Sequence, residues 1–513
     1  MQYDSVAVIV VYLVVVTVVG SLLARRASSS SGWAVAGGGM GLTMVAVGIA
    51  GTRIGGAGTY GVAERAMSGG LWYMWWYSIN TFLAIAIVGL FFARAYRRLN
   101  LKTVGEIFYE RFGSRRCQVV TSLCVQTEYL IVDVIEVYLI AAILTKLTGI
   151  GMLLGVLIAA AILATYVALG GLWGSAVTNL IHCAVILFGL WAVGSAGVDA
   201  AGGWDRVVAA VDGHLEAGEV DGTRWWSFAG AGWGAVIGMF FSAAIHTPAA
   251  SVYTNFSTAA RSERILVPSF LVAGVIASLM PLLAGYVGIV TLAKYGLTAG
   301  LRGYQNLTQL AMDINPVIGG IALAAIVAAV ISSGGPILLS SATMFVNDWL
   351  TRLGDRFSPP TVRLYRITTW FYAYAAAAVA FYVSKTEVSL LDLLLFGFAM
   401  VVPPAVAVGY LLYWRKTSEA GAMWGMVGGY VGGMLWFLAI KVALAAGLEV
   451  DASSSVLERM AHYFFVHDGA GTDPSYATTL VPLILIPIIS LARPNEDDGA
   501  EFYDRLATAP EGG

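Results

Sequence analysis

The stretch Gly51-Thr52-Arg53-Ile54-Gly55-Gly56-Ala57-Gly58-Thr59-Tyr60-Gly61 decides how this chain is read. It lies inside an apolar segment of helical length, yet five of its eleven residues are glycine. Each glycine costs a helix roughly 1 kcal/mol relative to alanine, so the run is a poor continuous helix. In a lipid environment an irregular backbone survives only when it is buried in protein or lines a cavity. Close helix packing through small residues is the other reading of such a run. The arginine in its middle favours a break that faces a polar site, so a discontinuous helix is expected near residues 51–58.

The surroundings call for that lipid environment. Hydrophobic residues make up 58% of the 513 positions and charged residues 12%, with a mean hydropathy of +0.78. A soluble domain carries about twice that share of charge, near 25%. Apolar segments of about 20 residues, the length that crosses a hydrocarbon core, recur along the chain. They lie near 5–24, 41–62, 71–93, 118–145, 149–169, 176–196, 229–253, 267–293, 317–349, 367–384, 388–413, 421–446 and 477–492. About thirteen spans put the two termini on opposite sides. Residues 1–493 are expected to form one transmembrane domain, with 494–513 a polar, mobile cytoplasmic tail. Residues 1–24 lack a basic leader and place Arg25-Arg26 after the apolar run, which fits an uncleaved anchor with its N-terminus outside.

Charge supports this orientation. Arg94, Arg97, Arg98, Lys102, Arg111, Arg115 and Arg116 share one connection, and Arg261, Arg264, Arg352, Arg356, Arg363, Arg366, Arg415 and Lys416 fall in others on the same side. The positive-inside rule makes that side cytoplasmic, at the cell membrane. The opposite loops, 199–224 and 449–473, lean acidic, and 101–113 reads as a short amphipathic surface helix. A net charge of −2 offers nothing to nucleic acid. Cys117, Cys124 and Cys183 have no metal or redox spacing and read as packing residues. The chain contains no nucleophile elbow, phosphate loop or paired metal-ligand motif, so an enzyme is not expected.

A second break is expected at Ala244-Ile245-His246-Thr247-Pro248, where proline frees a carbonyl at membrane depth. Interrupted helices at matching positions in two halves of a chain point to a transporter site. Residues 332–336, Ser-Ser-Gly-Gly-Pro, put two hydroxyls beside a further break expected at the proline. They read either as oxygen ligands for a small cation or as serines bonded back to their own kinked helix. One apolar span also carries Glu128, Asp133 and Glu136. Intramembrane carboxylates are functional candidates. Glu128, nearer the span's end, reads as solvated. His182 and His246 are either proton relays or hydrogen-bonded core residues. The aromatic run Trp72, Tyr73, Trp75, Trp76 and Tyr77 reads as an interfacial belt or as part of a cage for a quaternary amine.

These residues together resemble the sodium/solute symporters, whose members carry proline, pantothenate, sugars, carboxylates and choline. Residues 51–57 with Gly61-Val62-Ala63-Glu64 are similar to the first core helix of the choline-transporter-like branch. Leu169-Gly170-Gly171-Leu172-Trp173 with Thr178-Asn179-Leu180-Ile181-His182 resembles the start of core helix 5. Ala328-Ala329-Val330-Ile331-Ser332-Ser333, followed by Leu338-Leu339-Ser340-Ser341 and Asn347-Asp348, resembles core helix 8. Pro248, Tyr253 and Ser257 match core helix 6 more loosely.

The resemblance implies an all-α, LeuT-like 5+5 inverted-repeat core over 41–413, with core helices 1 and 6 discontinuous. Residues 5–24 would form a peripheral first helix and 421–492 the peripheral last ones. It implies secondary active transport of a small organic solute by alternating access, coupled to Na+. The ion would be held by carbonyls of Gly51, Ile54 and Ala329 and hydroxyls of Ser332 and Ser333. Solute or coupling roles fall to Arg53, Gly55, Gly56, Asp133, Glu136, Asn179, His246 and Thr247. No obligate protein partner is expected.

The chain also departs from the family pattern. The acid of core helix 5 is Asn179, its glutamine is His182, the acid after the helix 8 serines is absent, and Arg53 stands between two ion-binding carbonyls. Three roles are open to Arg53: counter-charge to Asp133 or Glu136, which core helix 3 would turn toward it; ligand for a solute carboxylate; or a built-in cation that replaces sodium. The last would make the carrier sodium-independent or proton-coupled. A membrane solute sensor is the distant alternative.

Overall fold

The computed structural model describes residues 3–22, 27–218, 220–296, 310, 312–314, 316–351, 358–386, 388–447, 454–466 and 473–508. Arg25, Arg26, Arg352, Arg356 and residues 449–453 and 467–472 of the acidic 449–473 loop lie outside the described residues. Within them the chain is helical and contains no strand. A single parallel bridge pairs Met40 with Ala260.

Every expected span falls on helix. Tyr3–Leu22 is the peripheral first helix. Core helix 1 is Leu42–Arg53 followed, after a break, by Val62–Gly69. Core helix 2 is Trp72–Arg98 and core helix 3 is Arg115–Thr148. Met152–Ala200 holds core helices 4 and 5, divided at Gly171 by a left-handed backbone (φ 55°, ψ −159°). Only glycine suits that residue, because a Cβ would meet the Trp33 carbonyl oxygen at 2.9 Å. Gly232–Ala249 with Ser251–Ala259 forms core helix 6, bent by 47°. Leu266–Tyr295, Val317–Leu350, Val362–Val383 and Leu390–Tyr413 are core helices 7 to 10. Glu419–Ala445 and Ser475–Ala492 pair beside core helix 10.

By length and composition alone, seven of the described helices qualify as membrane spans, or eight with the bent pair counted as one. Core helix 1 is shortened by its break, and core helix 3 carries ionisable residues. Core helix 8 lies along core helices 4 and 5 and against core helices 1 and 3, so the Gly51 break and the two serines meet inside the bundle.

Three local expectations need correction. Core helix 6 opens at Ala250 (φ −69°, ψ 106°), two residues after Pro248. Proline's fixed φ suits the first turn of the short 3-10 segment Thr247–Ala249, so it starts a turn there and the chain extends just beyond it. Core helix 8 carries Pro336 inside a continuous helix, not at a break. The tail is not free among its described residues. Ala500–Ala507 is an amphipathic helix that buries Phe502 and Tyr503 at the basic end of the bundle. There Asp497 accepts from Arg111 (2.7 Å), Arg505 donates to Glu110 (2.6 Å), and the Tyr503 hydroxyl donates to the Leu411 carbonyl (2.9 Å).

Candidate functional site

The break in core helix 1 frees backbone groups that neighbouring helices meet. Ile54 (φ −110°, ψ 91°) leaves the helix immediately after Arg53, and the chain re-enters it through a π turn at Ala57–Gly61. The Ser332 hydroxyl lies 2.9 Å from the carbonyl oxygens of both Gly51 and Ala329, sharing one hydrogen across two helices. The Ser333 hydroxyl is 3.2 Å from the Ala329 oxygen and 2.6 Å from Glu136 Oε1. The serines therefore do bond back to their own helix, as one reading held, and they also reach across to core helices 1 and 3.

Glu136 completes this side. Both of its carboxylate oxygens accept from the Gly56 amide at 3.1 Å. That amide opens the second half of core helix 1, where a carboxylate gains up to about 2 kcal/mol from the exposed N–H groups when partly buried. The glycines make room for it: a Cβ on Gly55 would run into Glu136 and Ser333, and one on Gly56 into Leu139 and Glu136. Asn179 packs on Gly51 and donates to the Gly48 carbonyl at 3.0 Å. Its Oδ1 is buried without a hydrogen-bond partner among the described residues.

Arg53 points the other way, toward core helix 6. Its Nη2 donates to the Ala243 carbonyl at 2.5 Å and its Nη1 lies 3.4 Å from His246 Nε2. His246 Nδ1 is 2.6 Å from the Ser242 carbonyl, which only an Nδ1–H can satisfy, so Nε2 presents its lone pair to the guanidinium. Phe398 of core helix 10 stacks on His246 (4.1 Å between centroids, 11°) and lies 5.0 Å from the guanidinium carbon.

The carboxylate nearest Arg53 is neither Asp133 nor Glu136. It is Glu128, only 3% exposed, with Oε1 4.0 Å from His246 Nε2 and Oε2 unpartnered among the described residues. Helix geometry gives the reason. At about 100° per residue, Asp133 sits roughly 140° around core helix 3 from Glu128, with Glu136 between them. Asp133 accordingly accepts from Ser341 at 3.4 Å, away from the arginine. The expectation that Glu128 is solvated fails, since the bundle encloses core helix 3 at this depth and leaves Glu128, Asp133 and Glu136 all buried.

Between these two groups lies a small cavity of about 30 Å³. Arg53 and Glu128 supply its charged edges, and Val132, Ile337, Leu394 and Phe398 its apolar walls. Thr52, Gly55, Glu136, Tyr253 and Ser333 also reach it. Asn179, His246 and Thr247 stand behind the lining. Glu128 carried a usable sequence signal, being on the same face as Glu136. Phe398 and Tyr253 carried none beyond an aromatic in an apolar helix, because only tertiary packing brings them here.

Neither His182 nor most of the aromatic run belongs to the cavity. His182 Nδ1 meets the Tyr12 hydroxyl of the first helix. Trp75 and Trp76 cluster with Phe228, and Trp76 also meets Trp233, as an interfacial belt would. Trp72 and Tyr77 are buried, Tyr77 with its ring near Gly58.

Two discontinuous helices flanking a buried polar cavity in a 5+5 inverted repeat define a LeuT-fold transporter. A family profile places the chain more narrowly: residues 33–429 match the sodium:solute symporter family, and the chain belongs to it. A Staphylococcus aureus sodium/proline symporter is 30% identical over 132 residues, 25% of each chain. The matched stretch thus spans a quarter of that relative's length. A Na+-coupled sialic acid symporter in a substrate-bound outward-open state superposes with a TM-score of 0.70 at 18% identity, covering 94% of this chain and 97% of the other. Mhp1, a nucleobase-cation-symport-1 family transporter in a closed conformation with bromovinylhydantoin bound, gives 0.55 at 14% identity over 94% and 97%. Both establish the fold.

Proposed function

We propose that this protein is a secondary active transporter that couples uptake of a small organic solute to sodium by alternating access. The observation that carries the reading is the Ser332 hydroxyl joining the Gly51 and Ala329 carbonyl oxygens at the core helix 1 break. With the Ser333 hydroxyl beside it, and the Ile54 carbonyl that the family resemblance would add, the donor set is wholly oxygen, as a hard cation requires. A bound sodium would supply the positive charge that holds core helices 1 and 8 together and that the solute's binding would depend on. Arg53 is not that charge, because its guanidinium is committed to Ala243 and His246 on core helix 6. This favours sodium coupling over the reading in which arginine replaces the ion.

The solute site is the cavity between Arg53 and Glu128, whose opposite charges at two edges suit a small molecule with both donor and acceptor groups. Similarity to a protein named a sodium/proline symporter makes zwitterions the first compounds to test. We place the arginine-rich end in the cytoplasm, the N-terminus outside and the chain in the cell membrane. Uptake of labelled solutes into proteoliposomes, with an inward sodium gradient or with choline in its place, tests the reading. Sodium-stimulated accumulation is expected, and equal rates in both salts would overturn the coupling.

A further inference from the structure

We propose that Glu136 supplies the fixed negative charge of the ion site, replacing an acidic residue that core helix 5 lacks. This rests on the sodium reading above. The five oxygens assigned to the ion come from carbonyls and hydroxyls, none of which carries a full charge. Asn179, where the family resemblance leads one to expect an acid, brings only an amide whose nitrogen is already committed to Gly48. Glu136 reaches the same cluster from core helix 3, with Oε1 2.6 Å from the Ser333 hydroxyl. The Gly56 amide holds both of its oxygens, and Gly55 and Gly56 have no side chain to displace it. A buried cation is stable only beside a compensating charge, and Glu136 is the carboxylate in contact with this cluster.

One consequence concerns the solute. The N-terminus of a half-helix is where an anionic ligand group would otherwise bind. Here the protein's own carboxylate occupies it, so any solute carboxylate is left to Arg53.

The test reads ion binding without transport. Purified protein is melted in detergent across a sodium chloride series, with choline chloride holding ionic strength constant. The wild type melts higher as sodium rises. Glu136→Gln is expected to raise the half-maximal sodium concentration by about tenfold or more, the equivalent of about 1.4 kcal/mol. Adding Asn179→Asp to that variant is expected to recover part of the loss. A Glu136→Gln protein that titrates like the wild type overturns the proposal and leaves the sodium reading standing. A wild type with no sodium response sinks both. Should Glu136→Gln fail to fold, Asn179→Asp alone decides. With Glu136 already supplying the charge, it shifts sodium affinity by less than about threefold, whereas a tightening of about tenfold would mean the charge was missing.

Discussion

Core helices 1 and 6 break at matching positions in the two repeats, and each break exposes backbone groups that lipid cannot satisfy. Such groups cost several kcal/mol apiece when left open. Around core helix 6 Arg53 takes the Ala243 carbonyl, and nearer the opening the partners are neutral phenols: the Tyr96 hydroxyl donates to the Pro248 carbonyl at 2.5 Å, and the Val252 amide donates to the Tyr129 hydroxyl at 2.7 Å. Around core helix 1 the partners are two serines and a carboxylate, with a buried arginine one residue before the opening. Phenols on core helices 2 and 3 fix one geometry. Hydroxyls and a carboxylate around carbonyl oxygens form a set whose arrangement an arriving cation can take over. The two breaks are alike in backbone and differ in chemistry, and on the sodium reading proposed above the ion belongs to the first and the second is a fixed joint.

Arg53→Ala attacks the charged break most directly and carries the largest expected effect. It removes the positive charge across the cavity from buried Glu128 and leaves the Ala243 carbonyl without its donor, and a buried charge left uncompensated is strongly disfavoured. Uptake per folded molecule should fall by about a hundredfold or more. Glu128→Gln in the same chain should restore part of it, because it removes the orphaned charge. Asp133→Asn should restore nothing, since Asp133 faces Ser341. Rescue by Asp133→Asn and not by Glu128→Gln would mean that core helix 3 presents a different face to the cavity.

That rescue pattern also marks how far the sequence could be read. Span positions, the glycine break and the serine pair were legible because they follow from composition, helix cost and local spacing. The carboxylate that shares the cavity edge with Arg53 was not, because the rotation of core helix 3 about its axis is set by tertiary packing, and all three of its carboxylates are buried. Phe398 illustrates a harder limit: nothing in the sequence of core helix 10 distinguishes it from the apolar residues around it. The docked tail was hidden for another reason. Its polarity suggests a free segment, whereas its charges pair with Arg111 and Glu110, hundreds of residues away.

Tyr129→Phe probes the neutral break. It removes the acceptor of the Val252 amide without changing the ring, and a buried donor left open costs about 1–3 kcal/mol. The melting midpoint in detergent should fall while the sodium concentration giving half its stabilising effect stays unchanged. A shift in sodium response would show that core helix 6 takes part in ion binding, and the contrast between the breaks would fail.

The smallest effect is expected of Thr247→Val, which sharpens the comparison from the same side. Thr247 is fully buried in the core helix 6 break, and its hydroxyl has no partner among the described residues. Replacing an unsatisfied hydroxyl by a methyl of similar size removes a desolvated polar group, so stability should change by less than about 1 kcal/mol or improve slightly. Thr247 does not line the cavity, and the concentration of solute giving half-maximal uptake should therefore match the wild type. A raised value at unchanged stability would mean that the open hydroxyl is reserved for the solute. Core helix 6 would then be a binding element and not a fixed joint, and the two breaks would differ in ligand instead of in role.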